Sequence, residues 1–194
     1  MSSSFHISPQ APSRINWGDN SDRYNRAMVA IHWLTALLMF CIIPIGLTMT
    51  AMPRTSPMRE TLFTVHKSIG ITILALVILR VIVRAVSRAP SYPGTVGRLE
   101  HVTASTVQYL LYAIMVWMCL TGYINSLAGG HGFDWFFLFP VTGFVPPNGA
   151  LAHLALTLHV AGQWAVYTLI VAHVLGASFH LIVRRDRVFQ RMLP

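Results

Sequence analysis

Histidines recur inside the long apolar stretches of this chain, where ionisable side chains are costly. The sequence contains nine histidines. A polar, ionisable side chain within a bilayer is a candidate for function by default. The alternative for any one of them is a neutral ring bonded to a backbone carbonyl, and this alternative weakens when several share matched helix faces. The histidines within apolar stretches are His32, His66, His153, His159, His173 and His180.

Helical geometry places three histidines of the last apolar stretch on one face. At ~100° per residue, His173 lies within ~40° of the face of His159, and ~21 Å further along the axis. His180 lies within ~20° of the face of His173, whereas His153 lies ~120° away from His159. The stretch therefore carries a stripe of histidines with His153 off it.

Depth along antiparallel helices predicts two pairs, His32 with His173 and His66 with His159. Two imidazole nitrogens are too few for a structural zinc site, which takes four ligands. They suit the two axial positions of a haem iron. No CxxCH attachment motif is present, so the haem would be non-covalent and of b type. The pattern predicts two b haems and electron transfer rather than oxygen binding.

Two arginines and three glycines agree with this arrangement. Arg80 and Arg84 lie within ~40° of the face of His66, so we expect them to face the bundle and pair with haem propionates. The alternative is that they snorkel to the lipid surface. Glycines lie three or four residues after three of the histidines, where they would let a flat macrocycle approach the helix backbone. The alternative is that they serve ordinary close packing of membrane helices. These glycines are Gly70, Gly162 and Gly176.

The elements that must position these residues are transmembrane helices. Of 194 residues, 54% are hydrophobic and only 10% are charged, a composition atypical of soluble and of disordered chains. Four stretches reach the ~20 apolar residues that a span requires. Backbone groups in lipid must be paired internally, so we predict an all-α membrane protein with a four-helix bundle. The predicted spans are Ala27–Met52, with a kink expected at Pro44, Leu62–Val86, Val102–Leu127 and Ala150–Val183.

Charge predicts the orientation and argues against nucleic acid as a partner. The net charge is +8, but the apolar runs favour an anionic membrane face over nucleic acid. Eleven arginines lie on the side of the termini and the second loop, against Arg54, Arg59 and Lys67 on the other side. Both termini are therefore expected in the cytoplasm. We divide the chain into a polar tail, 1–22, without a cleavable signal peptide, and a membrane domain, 23–194.

The cysteines, the connecting loops and an aromatic segment are assigned structural roles. Cys41 and Cys119 fall inside apolar runs and are expected to be buried filler. The connections 53–61 and 87–101 are expected to be polar loops. The segment 128–149 is rich in aromatic residues, glycine and proline, and is expected to lie on the bilayer surface, with a binding site over this face as the alternative. Its aromatic residues include Trp135, Phe136, Phe137 and Phe139.

The sequence resembles the bacterial cytochrome b561 family of small four-helix di-haem membrane proteins. The matching pieces are IHWL at 31–34, VHKSIGI at 65–71, LRVIVR at 79–84 and the final run from His159 to RMLP. The resemblance covers residues 23–194. It implies haem ligation by the four paired histidines, basic residues Arg80 and Arg84 near the inner haem, and a quinone or proton-linked role for His180 on the cytoplasmic side.

The resemblance also implies a function. Similar proteins are oxidoreductases of the bacterial inner membrane that take an electron from periplasmic superoxide and reduce ubiquinone in the membrane. One alternative is an anchor subunit that relays electrons between quinone and a soluble iron–sulfur dehydrogenase or hydrogenase. Another is a haem-free transport or scaffold protein, which would be colourless when purified.

Overall fold

Four long helices form most of the protein in the computed structural model, which describes residues 23–87 and 96–193. Each is long and apolar enough to cross a membrane. The predicted all-α fold of four spans is confirmed. The predicted tail, 1–22, and part of the second loop lie outside the described residues. The helices are α1, Arg26–Ala51; α2, Pro57–Val86; α3, Arg98–Ala128; and α4, Gly149–Phe179.

The observed helix starts differ from the predicted ones where a polar turn precedes the apolar run. α2 begins at Pro57 rather than at Leu62, so the predicted loop 53–61 is wrong in its second half. Proline suits the first helical position, because its fixed φ matches the helix and its missing N–H would be unpaired there anyway. α3 likewise begins at Arg98, and the Glu100 carboxylate accepts from the Gly97 N–H at 2.9 Å. α1 runs unbroken through Pro44.

The fourth predicted span ends in a change of helix type. α4 stops at Phe179, and a π-helical turn, His180–Arg184, follows it. Arg185 and Arg187 have left-handed backbone conformations, with φ of 53° and 65°, and they turn the chain back. The chain then forms a 3₁₀ helix, Phe189–Met192, whose last carbonyl accepts a hydrogen bond from Trp33 Nε1 on α1.

The two ends of the bundle differ in chemistry. α1 and α3 begin at one end, where α2 and α4 finish; we call this the arginine-rich end and the other the hairpin end. α1 packs on α2, α2 on α3, and α3 most extensively on α4. Most large apolar side chains lie on the outside of the bundle, where they would contact the hydrocarbon of a bilayer. The interior cluster between α2 and α3 consists of Ile69, Ile73, Val77, Tyr112 and Met115.

The aromatic segment after α3 folds into a short hairpin that packs on α2. Strands β1, Phe133–Trp135, and β2, Phe139–Val141, pair antiparallel. Ser68, fully buried on α2, accepts a hydrogen bond from the Phe136 N–H at 2.8 Å. Trp135 Nε1 donates to Thr72 Oγ1 at 3.2 Å. These strands are an addition to the predicted fold. That the segment lies on a bilayer surface stays a prediction.

We expect Ser68→Ala to loosen the hairpin without dissolving the bundle. The substitution leaves the Phe136 N–H without its acceptor, at a cost of about 1–3 kcal/mol. Hydrogen exchange of residues 130–145 should accelerate, while exchange in α3 and α4 stays slow. Thr61→Ala is the matched control, because its exposed hydroxyl bonds only to the Pro57 carbonyl of its own helix. Equal exchange in the two variants would show that Ser68 does not hold the hairpin.

Candidate functional site

The structure brings His32 and His173 together near the arginine-rich end. Their ring centroids are 6.1 Å apart and their planes cross at 74°. His32 lies on α1 and His173 on α4, so the two rings approach from different helices. We call them the arginine-end pair. Their meeting follows from the antiparallel arrangement that the sequence predicts.

His66 and His159 form a second pair towards the hairpin end. Their centroids are 6.3 Å apart and their planes cross at 75°. The rings come from α2 and α4, and we call them the hairpin-end pair. The structure therefore repeats one geometry at two depths of the bundle, with α4 contributing to both.

The gap within each pair fits one metal ion. A metal–nitrogen bond of about 2 Å on each side, plus roughly 1 Å from each nitrogen to its ring centre, gives a centroid separation near 6 Å. In residues 23–87 and 96–193, no group of three or more His, Cys, Asp or Glu side chains could hold a metal ion. Each pair thus offers two imidazoles, one on each side of the gap, which suits an ion whose other ligands come from a macrocycle.

Hydrogen bonds orient the ring of His159 for such a ligand. Its Nδ1 lies 2.9 Å from the Met118 carbonyl of α3, to which only a protonated Nδ1 can donate. The Thr121 hydroxyl lies at 3.2 Å from the same nitrogen. The proton on Nδ1 leaves the lone pair of Nε2 free to bind a metal. Metal-binding histidines commonly donate their other ring N–H to a carbonyl in this way, which sets the orientation and the tautomer of the ring.

Arg80 is a buried cation that faces the arginine-end pair. The residue is only 7% exposed, and its Nη1 lies 2.8 Å from His32 Nδ1. A guanidinium can only donate, so His32 accepts this bond. Among the described residues Arg80 forms no ion pair, and its buried Nε has no hydrogen-bond partner. A buried charge requires compensation, so the site calls for an anionic group.

Arg84 is placed differently from its neighbour one turn earlier. Its guanidinium lies over the Tyr109 ring of α3, 5.5 Å from the centroid. It is therefore turned towards the α2–α3 side rather than towards the histidine pair. Its pairing with a propionate stays a prediction.

Glycines at the hairpin-end pair make room for the rings. A Cβ at Gly46 would lie 3.0 Å from His66 Cε1, and one at Gly122 would lie 3.1 Å from His159 Cε1. The sequence analysis missed both, although Gly46 follows His32 by the same spacing that separates His159 from His173. Gly162, in contrast, serves helix packing, since its Cβ would meet Met118 Sδ at 2.7 Å. A Cβ at Gly70 or Gly176 would meet no described residue closer than 3.9 Å.

His180 does not join either pair but meets an acid at the arginine-rich end. Its Nδ1 lies 2.7 Å from Asp186 Oδ2, and the Asp186 side chain is only 3% exposed. Burial opposes ionisation of this carboxyl, but bonds from His180 and the Val188 N–H hold its pKa below the usual value. The sequence analysis missed Asp186, because only the π-helical turn and the left-handed residues after it bring the acid back to the ring.

Comparisons with known proteins place the chain in a family. The sequence model described as prokaryotic cytochrome b561 matches residues 23–194. The chain belongs to this family. Cytochrome b561 homolog 2 of Escherichia coli (strain K12) is 27% identical over 179 residues, covering 92% of this chain and 95% of the relative. Cytochrome b561 homolog 1 of the same strain is 29% identical over 184 residues, covering 89% and 98%.

Membership of the cytochrome b561 family makes this a multi-pass bacterial membrane cytochrome with a role in electron transfer, and it implies haem b. The residues present fit that group. Opposed imidazoles suit the two axial positions of an iron porphyrin, and a haem carries carboxylates that could compensate the unpaired charge of Arg80.

Gly122→Ala should weaken haem binding in this cytochrome b561. The new methyl group would press on the His159 ring and turn Nε2 away from its partner, and such disturbance of ligand orientation costs on the order of 10-fold in metal affinity. Haem retention on dilution, followed by visible absorbance, measures the effect. Gly149→Ala is the control, because nothing lies within 4 Å of a Cβ there. Equal retention would contradict the proposed contact.

Proposed function

We propose that this cytochrome b561 holds two b haems, each between two histidines, and carries single electrons from periplasmic superoxide to ubiquinone. The observation that carries the proposal is that two histidine pairs with the same geometry occur at two depths of the bundle. The ring centroids are 6.1 Å apart in one pair and 6.3 Å apart in the other. The identity of the donor and acceptor rests on the resemblance to family members described above.

The chain supplies ligands and compensating charge. His32 and His173 are assigned to the inner haem, and His66 and His159 to the outer haem. When bound, each haem takes up and releases one electron at a time, which is its own chemistry rather than the protein's. In the haem-bound protein, Arg80 would donate to a propionate of the inner haem instead of to His32 Nδ1. His32 Nδ1 would then be free to carry a proton, as it must when Nε2 of the same ring binds the metal.

The hairpin end is proposed to face the periplasm. The excess of arginine at the opposite end supports cytoplasmic termini. Arg54 is exposed, and Lys67 lies beside the hairpin, where its Nζ donates to the His131 carbonyl at 3.2 Å. These cations, with Arg59, would raise the local concentration of an anion such as superoxide near the outer haem.

The cytoplasmic end supplies protons. Two superoxide anions each give up one electron and become dioxygen, and one ubiquinone takes both electrons and two protons to become ubiquinol. His180 is assigned to proton uptake for the quinone. Asp186 accepts from its Nδ1, so the other ring nitrogen can exchange a proton while the acid stabilises the protonated ring.

Removing one histidine of a pair should remove one haem. His66→Ala or His159→Ala should halve the haem-to-protein ratio by loss of the outer haem, and His32→Ala or His173→Ala by loss of the inner one. The ratio is measured by pyridine haemochrome analysis. His153→Ala should retain both haems, because His153 is exposed and faces neither pair. Two haems in any of the four variants would refute the ligand assignment.

Superoxide and ubiquinone should be consumed in a ratio of two to one by the purified holoprotein. Spontaneous dismutation yields hydrogen peroxide, whereas this reaction yields ubiquinol and none. Ubiquinol is measured by its absorbance and peroxide by a coupled peroxidase. His66→Ala is the control, which should form no ubiquinol. Failure of the wild-type protein to form ubiquinol, with haem reduction by a co-purifying iron–sulfur protein instead, would favour the anchor-subunit role.

A further inference from the structure

A groove of about 420 Å³ runs between α2 and α3. Small aliphatic side chains form its walls, and Tyr109, Tyr112 and Arg84 form its polar part. Its outer edge is open, since Val81 is 46% exposed and Tyr109 is 57% exposed. In a bilayer this edge faces hydrocarbon, so a ligand could enter from the lipid. The aliphatic residues are Val77, Val81, Ala113 and Val116.

The hydroxyl of Tyr112 points to the kind of ligand that the groove would take. Tyr112 is 8% exposed, and its buried Oη has no hydrogen-bond partner among the described residues. The Arg80 guanidinium lies over the Tyr112 ring, 5.4 Å from its centroid, and a guanidinium can only donate. The phenolic proton therefore needs an acceptor oxygen, because leaving a buried donor unpaired costs about 1–3 kcal/mol.

The walls of the groove restrict which acceptor it would be. Among the residues that the structure describes, no acidic residue lines the groove, and its polar groups are two phenols and a cation, all of which can donate. A flat apolar ring with carbonyl oxygens and a long apolar tail satisfies both the walls and the donors. A membrane quinone has this chemistry.

One side chain joins the groove to the arginine-end pair. The Nη1 atom of Arg80 lies 2.8 Å from His32 Nδ1, and its guanidinium carbon lies 5.4 Å from the centroid of the Tyr112 ring. A ring bound at Tyr112 would thus be separated from the inner haem site by a single residue. This proximity suits the transfer of single electrons to the bound molecule.

We propose that the α2–α3 groove binds the ring of ubiquinone, with the Tyr112 hydroxyl donating to a quinone carbonyl and Arg84 at the polar end. This inference rests on the proposed function, and it separates two roles at the arginine-rich end. The groove holds the ring, which takes two electrons and two protons to become the quinol, and His180 with Asp186 serves proton uptake from the cytoplasm.

Three variants of the holoprotein test the groove by calorimetric titration with decylubiquinone. Tyr112→Phe removes one hydrogen bond and should raise Kd ~10-fold, as expected for a bond of about 1.4 kcal/mol. Ala113→Leu fills the groove and should raise Kd by at least as much. Val81→Phe, at the exposed edge, fills the groove without disturbing the interior and should act like Ala113→Leu.

The matched controls are Tyr123→Phe and Ala172→Leu, which should bind like the wild type. Tyr123 bonds to the Thr142 carbonyl at the hairpin end, and Ala172 is exposed on α4. Unchanged binding in all groove variants, with binding lost in His180→Ala, would place the ring at His180 and overturn the inference. An altered inner-haem potential in Tyr112→Phe with unchanged binding would assign the hydroxyl to a propionate instead. Wild-type protein that binds no quinone would refute the proposed function itself.

Discussion

Two imidazoles from different helices, opposed across a gap that fits one iron, are the arrangement on which the rest of the structure depends. It occurs twice, and α4 supplies one ring to each pair. The spacing from His159 to His173 returns the helix to nearly the same face after ~21 Å. A single straight helix thereby fixes both the direction and the separation of the two sites, and α1 and α2 need only bring one ring each to the matching depth.

The surroundings of the two pairs differ in a way that suits different tasks. The hairpin-end pair is held by neutral contacts, with the Met118 carbonyl on His159 and glycine against both rings. The arginine-end pair borders a buried cation, Arg80, that has no acidic partner among the described residues. A buried positive charge beside one site attracts a carboxylate there, which is the role proposed for Arg80 towards a propionate of the inner haem. The asymmetry therefore distinguishes the two sites by the charge that surrounds them, and the proposed quinone groove and His180 lie at the charged end.

The sequence predicted the parts of the site that follow from helical periodicity. The four spans and the meeting of His32 with His173 and of His66 with His159 all depend on spacing along regular helices. The sequence did not predict contacts that depend on irregular backbone, nor which side chain of a neighbouring helix a residue contacts. Asp186 reaches His180 only through the π-helical turn, and the hairpin reaches Ser68 only through its own strands. Arg80 reaches His32 of α1, whereas the guanidinium of Arg84, which shares its helix face, lies over the Tyr109 ring of α3.

Electron paramagnetic resonance of the oxidised, purified protein tests the central claim most directly. The ring planes cross at 74° and 75° in the two pairs, and crossed axial imidazoles leave two iron d orbitals nearly equal in energy. The account predicts ferric low-spin signals of the strongly anisotropic type, with a large maximal g value, that integrate to two irons per chain. High-spin ferric iron, or low-spin signals that integrate to one iron per chain, would contradict it.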